Sequence, residues 1–170
     1  MSNLYLITGP AGVGKSRVSK ELALSLSLKK SVLLEGDDFY HQVINSYIPA
    51  WKEGNHLDIF WKVVIDTINN YLNAGYDVIF NYIIPKDKFN ELKNIFKKNN
   101  TKFIVLLANE STIIKRDKER DIENRMNERC LVLLNNFLNY NYDKKYILYT
   151  DELSVKEIVE KIIKDNKYNL

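Results

Sequence analysis

The sequence predicts an α/β fold: a parallel five-stranded sheet with helices on both faces. Two observations carry the prediction. Short apolar runs alternate with helical segments along the whole chain, and each run is continuously apolar instead of apolar at every second residue, as strands buried on both faces require. At 170 residues the chain has the length of one domain, spanning residues 1–170.

The first strand is Leu4–Ile7, stopped by Gly9-Pro10. A helix over residues 15–28 follows, with Val18, Leu22 and Leu26 at helical spacing. Ser31–Leu34 reads as a second buried strand that stops at Glu35-Gly36. Residues 37–75 are a longer excursion holding both tryptophans and both histidines. It ends in an amphipathic helix (Leu57, Phe60, Trp61, Val64, Ile68, Leu72) closing on Gly75. The third strand is Asp77–Tyr82, followed by a helix over 87–98 and a strand over Lys102–Leu107. Helical segments across 110–140, a strand at Tyr146–Tyr149 and a last helix from Ser154 to Lys164 complete the order. No internal repeat or low-complexity linker interrupts it.

With 45% hydrophobic and 28% charged residues, six glycines and three prolines, this is a folding chain and not a disordered one. One cysteine, Cys130, and two histidines, His41 and His56, exclude a disulfide framework and a structural zinc site; Cys130, beside Leu131, reads as packing. No signal-peptide pattern and no apolar stretch near the roughly 18 residues of a membrane span are present, so a cytoplasmic location without a membrane partner is expected. No long apolar stripe is left over, and a monomer is expected. A net charge of +3 is too small to argue for nucleic acid.

In doubly wound sheets, ligands bind beyond the carboxyl ends of the strands. After the first strand stands Gly9-Pro10-Ala11-Gly12-Val13-Gly14-Lys15-Ser16, a complete G-x-x-x-x-G-K-S phosphate loop. Its backbone N–H groups turn inward on a polyphosphate, and the helix it opens adds its N-terminal dipole. Lys15 would reach the β and γ phosphates and the Ser16 hydroxyl would take a position on Mg2+. Gly9, Ala11, Gly12, Val13, Gly14, Lys15, Ser16 and Arg17 are thus nucleotide-binding candidates. No D-x-x-G or N-K-x-D string marks a GTPase switch, and an AAA-type or motor ATPase would need a larger module and an apolar strand ending in Asp-Glu, whereas the third strand ends Val78-Ile79-Phe80-Asn81-Tyr82.

Asp37 and Asp38 follow the second strand. Asp37 is assigned to the site, as base for an acceptor hydroxyl or as holder of the magnesium water shell. Asp38 is assigned as a helix cap. Four of the five arginines, Arg116, Arg120, Arg125 and Arg129, fall within fourteen residues. Their i, i+4 spacing puts them in stripes on a helix, where guanidinium forks suit phosphate oxygens. The interleaved acids Asp117, Glu119, Asp121, Glu123 and Glu128 would also allow a solvated, salt-bridged helix, and the phosphate-closing reading is preferred.

The loop Gly9 to Ser16, the turn Glu35-Gly36-Asp37 and the arginine segment together resemble the small P-loop kinases of the shikimate kinase, gluconate kinase and chloramphenicol phosphotransferase group, over nearly the whole chain. Lys115-Arg116-Asp117 with Arg120 and Met126 to Leu131 looks like a bacterial branch of that group often labelled gluconate kinase, a label that says little about the acceptor. The resemblance implies a three-layer P-loop NTPase fold, nucleoside-monophosphate-kinase-like, with a helical arginine-rich lid near 115–130 and an acceptor-binding segment near 37–61. It implies Asp37 as catalytic base, Arg116 at the base of the nucleotide, Arg120, Arg125 or Arg129 over the transferred phosphoryl group, and Thr150 beside adenine. Thr150 or Asp151 also reads as a helix cap. Asn127 stands where related sequences carry glycine.

Residues 39–61 would build the acceptor pocket. Trp51 and His41 are its candidates, His41 equally reading as a bridge between helix and loop, while Phe60 and Trp61 read as core. Asn81 stands where related kinases place an acid, and would hydrogen-bond the acceptor or a magnesium water. The expectation is therefore a phosphotransferase using ATP and Mg2+ on a hydroxyl of a small molecule, with Lys15, Asp37, Arg120 and Arg125 catalytic, Ser16 and Asp37 at the metal, and Asp37, His41, Trp51, Asn81 and Arg129 at the acceptor. The alternatives are a polynucleotide 5'-hydroxyl kinase, disfavoured because residues 36–61 carry only Lys52 as a lysine or arginine, and a nucleotide-sensing module without catalysis.

Overall fold

The computed structural model describes residues 2–25 and 30–170; the predicted end of the first helix, including Leu26, lies outside the described residues. Among these, five strands form one sheet: β1 (Asn3–Thr8), β2 (Ser31–Glu35), β3 (Asp77–Asn81), β4 (Asn100–Leu107) and β5 (Ile147–Tyr149). All pairings are parallel, in the order β2-β3-β1-β4-β5. The helices are α1 (Lys15–Ser25), α2 (Gly36–Tyr40), α3 (Leu57–Asn73), α4 (Lys86–Ile95), α5 (Glu110–Lys118), α6 (Glu128–Asn139) and α7 (Val155–Lys164).

The chain runs from β1 outward to β2, then returns through β3 and past β1 to β4 and β5. Right-handed crossovers therefore put α1 on one face and α3, α4 and α6 on the other, and α7 packs beside α1. The change of direction leaves a crevice beyond the carboxyl ends of β1 and β3, where the phosphate loop lies.

Burial explains the strand pattern. Every residue of β3 is buried, as are all but the first of β4. β2, expected as a buried strand, is mostly half-buried because it forms an edge of the sheet. On one face Phe89, Phe103, Phe137, Tyr142 and Tyr146 form an aromatic cluster, with Phe89 and Phe103 at 4.2 Å between ring centres. On the other, Lys102 in β4 donates to the carbonyls of Ile162, Ile163 and Asp165, closing the carboxyl end of α7.

Gly75 ends α3 as expected. Its φ is +84°, its N–H reaches Leu72 O and that of Tyr76 reaches Tyr71 O, a Schellman closure with Tyr71 and Tyr76 in ring contact. The helix at 87–98 is shorter, Lys86–Ile95, and Tyr146 lies in a 3₁₀ turn ahead of β5. The segment 110–140 divides into α5, a 3₁₀ turn at Ile122–Asn124, and α6. Neither Thr150 nor Asp151 caps α7; Ser154 does, in a capping box with Glu157. Among the described residues no helix is long and apolar enough to cross a membrane.

Candidate active site

The loop from Gly9 to Gly14 leaves β1 and ends at α1, whose first N–H groups have no partners within the helix. Gly14 has φ +102°, and the space where a side chain would begin is open, so the loop forms a cradle for an anion. Lys15, half-buried, folds back and donates to Gly9 O at 3.0 Å and Pro10 O at 3.1 Å. Burial lowers its pKa to about 8, against the pull of Asp37 and with a further push down from Arg120; Glu35 also pulls it up. Lys15, Asp37 and Arg120, far apart in sequence, therefore share one electrostatic neighbourhood. Arg17 is exposed in the first turn of α1.

The carboxyl ends of β1, β2 and β3 bring together a group that the sequence reading did not assemble. Ser16 Oγ donates to Glu35 Oε2 at 3.1 Å, and Asn81 Nδ2 donates to the same oxygen at 2.6 Å. The register pairs Glu35 with Asn81 directly. Asn81, expected at the acceptor or a magnesium water, is buried and donates to the Glu35 carboxylate. Glu35 was thus missed; its signal was a carboxylate as the last residue of an apolar strand next to the loop. Asp37 and Asp38 occupy the first turn of α2, both exposed, and Glu35 holds the N-cap position without a side-chain cap bond. The cap assigned to Asp38 is therefore incorrect, because the helix begins at Gly36, before it.

The residues present fit a magnesium ion of the kind that retains water and nucleotide oxygens. A hydroxyl and a carboxylate oxygen meet beside the phosphate cradle, and no group of three or more His, Cys, Asp or Glu among the described residues builds a protein-only cage.

The arginine segment corrects the expected geometry. Arg116 is in α5, Arg120 lies beyond its end, Arg125 is on extended backbone after the 3₁₀ turn, and Arg129 is in α6. The i, i+4 stripes do not form, because the chain leaves the helix after Lys118. Arg116 bridges Val13 O at 3.0 Å, Thr150 Oγ1 at 2.9 Å and Thr150 O at 2.9 Å, tying the phosphate loop to the turn after β5. Thr150 is itself fixed to Leu107 O through its N–H and hydroxyl. Arg120 pairs with Asp117 at 3.5 Å, and Arg125 Nε donates to Arg120 O at 3.0 Å. Asp117 is buried, not solvated: its carboxylate accepts from the N–H groups of Met126 and Asn127. Asn127 has φ +49°, the backbone of a glycine position.

On the acceptor side, the Arg129 guanidinium lies 3.8 Å over the exposed Trp51 ring, joining the two predicted segments. Arg129 Nε is buried without a hydrogen-bond partner among the described residues. His41, at the end of α2, packs its ring against Tyr47 at 5.6 Å, the helix-to-loop arrangement. Tyr40 OH donates to Ile48 O at 2.7 Å. Phe60 and Trp61 are core as expected, against Tyr82.

No protein-family model matches the chain. Solved structures with the same fold include a sugar kinase from Janibacter sp. (14% identity, TM-score 0.68, covering 95% of this chain and 92% of that one). A gluconokinase from Sinorhizobium meliloti shares 20% identity at TM-score 0.63, covering 94% and 89%. The APS kinase from Mycobacterium tuberculosis, solved with AMPPNP and APS, shares 14% identity at TM-score 0.69, covering 95% of each chain. The chain has the fold of these P-loop kinases.

Proposed function

We propose that this chain is a magnesium-dependent kinase domain that moves the γ-phosphoryl group of ATP to a hydroxyl of a small molecule. The observation that carries the reading is the meeting of Ser16, Glu35 and Asn81 around one carboxylate oxygen, with Lys15 and Asp37 in the same neighbourhood at the strand ends. A bare phosphate site needs no such acidic group; a phosphoryl-transfer site does.

In this reading the loop amides and Lys15 hold the β and γ phosphates, Lys15 exchanging its two loop carbonyls for phosphate oxygens. Ser16 and Glu35, with Asp37 nearby, would hold magnesium, which supplies charge neutralisation at the β and γ oxygens. Asp37 accepts the proton of the acceptor hydroxyl while that oxygen bonds to the γ phosphorus and the bond to the bridging oxygen breaks, releasing ADP. Arg120 and Arg125 close over the transferred group, and Arg116 and Thr150 border the base. His41, Trp51 and Arg129 line the acceptor side. Positioning and electrostatics supply most of the rate.

The test is turnover of Mg-ATP by wild type and Asp37→Asn over hydroxyl-bearing metabolites, antibiotics, nucleosides and a 5'-hydroxyl oligonucleotide. One small acceptor should be phosphorylated, with kcat reduced roughly 10²–10⁴-fold in the variant. Turnover only with the oligonucleotide, or with none of the panel, sinks the small-molecule reading.

A further inference from the structure

Arg129 stands in the first turn of α6, and the backbone before it is anchored to the phosphate loop. A side chain at Gly12 would begin 4.0 Å from Asp117 Cβ, and the Asp117 carboxylate accepts from the N–H groups of Met126 and Asn127. The Arg129 N–H returns to Met126 O at 3.1 Å. Trp51 is anchored from the other side. Lys52 N–H closes a turn on Pro49 O at 2.9 Å, and Ile48 O accepts from the hydroxyl of Tyr40, the last residue of the helix that carries Asp37. The Arg129 guanidinium, 3.8 Å over the Trp51 ring, thus joins a segment fixed to the phosphate loop to a segment fixed to α2.

The four arginines between residues 116 and 129 are not equally committed. Arg116 donates to Val13 O, Thr150 O and Thr150 Oγ1, Arg120 pairs with Asp117, and Arg125 donates to Arg120 O. The Arg129 side chain makes no hydrogen bond and no ion pair among the described residues, and its Nε is buried without a partner. A guanidinium that gives up water at Nε and on the face against the indole, with no acid in exchange, is an uncompensated cation. Such exceptions call for a ligand. Stacking covers the face of the fork and leaves its edge, with the two terminal nitrogens, for a bidentate contact with an anion.

We infer that Trp51 is a positioning residue: its ring fixes the plane of the Arg129 guanidinium so that the terminal nitrogens receive an anionic oxygen of the bound reactants. The inference rests on the kinase reading and has Trp51 act through Arg129 instead of touching the acceptor. A free arginine side chain samples many rotamers and loses that freedom on binding, whereas one already held against an indole has less to lose. The anionic oxygen belongs either to the γ-phosphoryl group or to the acceptor, and the two sources are separated by which affinity Arg129 controls.

The experiment is a double-mutant cycle of Trp51→Ala and Arg129→Ala, with Trp51→Phe as the conservative variant. It is read as affinity for AMPPNP and for ADP, and as kcat and acceptor KM in Mg-ATP turnover with the acceptor found in the panel. Trp51 is 58% exposed, so its replacement leaves the core closed. Arg129→Ala should cost roughly 10- to 100-fold. The loss falls on AMPPNP affinity and kcat, with ADP affinity unchanged, if the γ-phosphoryl group is the partner, and on acceptor KM if the acceptor is. Trp51→Ala should cost roughly 3- to 10-fold in the same quantity and nothing further once Arg129 is absent, and Trp51→Phe should recover most of the loss. Equal losses from Trp51→Ala with and without Arg129 overturn the inference and leave the kinase reading intact, since Trp51 then meets the reactants itself. So does Arg129→Ala without effect on AMPPNP affinity, kcat or acceptor KM. A thermal midpoint that falls in Trp51→Ala together with both AMPPNP and ADP affinity also overturns it, because the stack is then structural. If no acceptor turns over, the kinase reading fails and the AMPPNP cycle alone decides the inference: coupling upholds it, and a flat cycle overturns it.

Discussion

Lys15 spends its ammonium on two carbonyls of its own loop, and burial brings its pKa to about 8. A polyphosphate in the cradle would raise that pKa, so binding takes up a proton once the pH exceeds the free value. The sign is fixed. Affinity for AMPPNP should be level below about pH 8 and fall above it, by up to about tenfold per pH unit until the bound-state pKa is reached. Calorimetry in two buffers of different ionisation enthalpy should show proton uptake near pH 9, roughly one unit above the free value, and none near pH 6.5; a flat profile, or one that survives Lys15→Met, refutes the assignment. The loop, Lys15 and Ser16 were legible because the spacing alone defines their chemistry. Glu35 was not assembled into the site because its partners, Ser16 and Asn81, lie 19 and 46 residues away, and only strand register brings them to one oxygen.

Between α5 and α6 the chain turns on a buried carboxylate. Asp117 accepts from Met126 and Asn127 while Asn127 holds φ +49°. Removing the carboxylate leaves two backbone donors without their acceptor, so Asp117→Ala should destabilise the fold by about 2–3 kcal/mol. Asn127→Gly relieves backbone strain and should stabilise it by up to about 1 kcal/mol. Chemical denaturation of the pair checks both signs, and a stabilising Asp117→Ala would show that the clasp is not structural. The sequence suggested an arginine-striped helix here because i, i+4 spacing is a helical signal. The helix ends at Lys118 because the Met126 and Asn127 donors take up the Asp117 carboxylate, a choice that local propensity does not encode. At α3 local signals sufficed: an amphipathic stripe and a glycine at the end gave both face and terminus.

Across the whole molecule, Arg116 joins the loop after β1 to the turn after β5, spanning 103 residues to Val13 and 34 to Thr150. Arg116→Ala should weaken AMPPNP binding roughly tenfold and lower stability by about 1–3 kcal/mol, since three charge-assisted bonds and the alignment of loop and turn are lost together. Isothermal titration and thermal unfolding check the two effects; unchanged AMPPNP affinity would separate Arg116 from the nucleotide site. The sequence by itself determined the alternation of strands and helices, the parallel sheet and the phosphate loop, because hydrophobic period and glycine spacing are local properties. Tertiary structure alone decided that β2 forms an edge, that Asn81 holds Glu35, and that Asp117 is buried. Each of those depends on which distant segments the β2-β3-β1-β4-β5 order makes neighbours, and hydrogen-bond satisfaction is a property of neighbours in space, not in sequence.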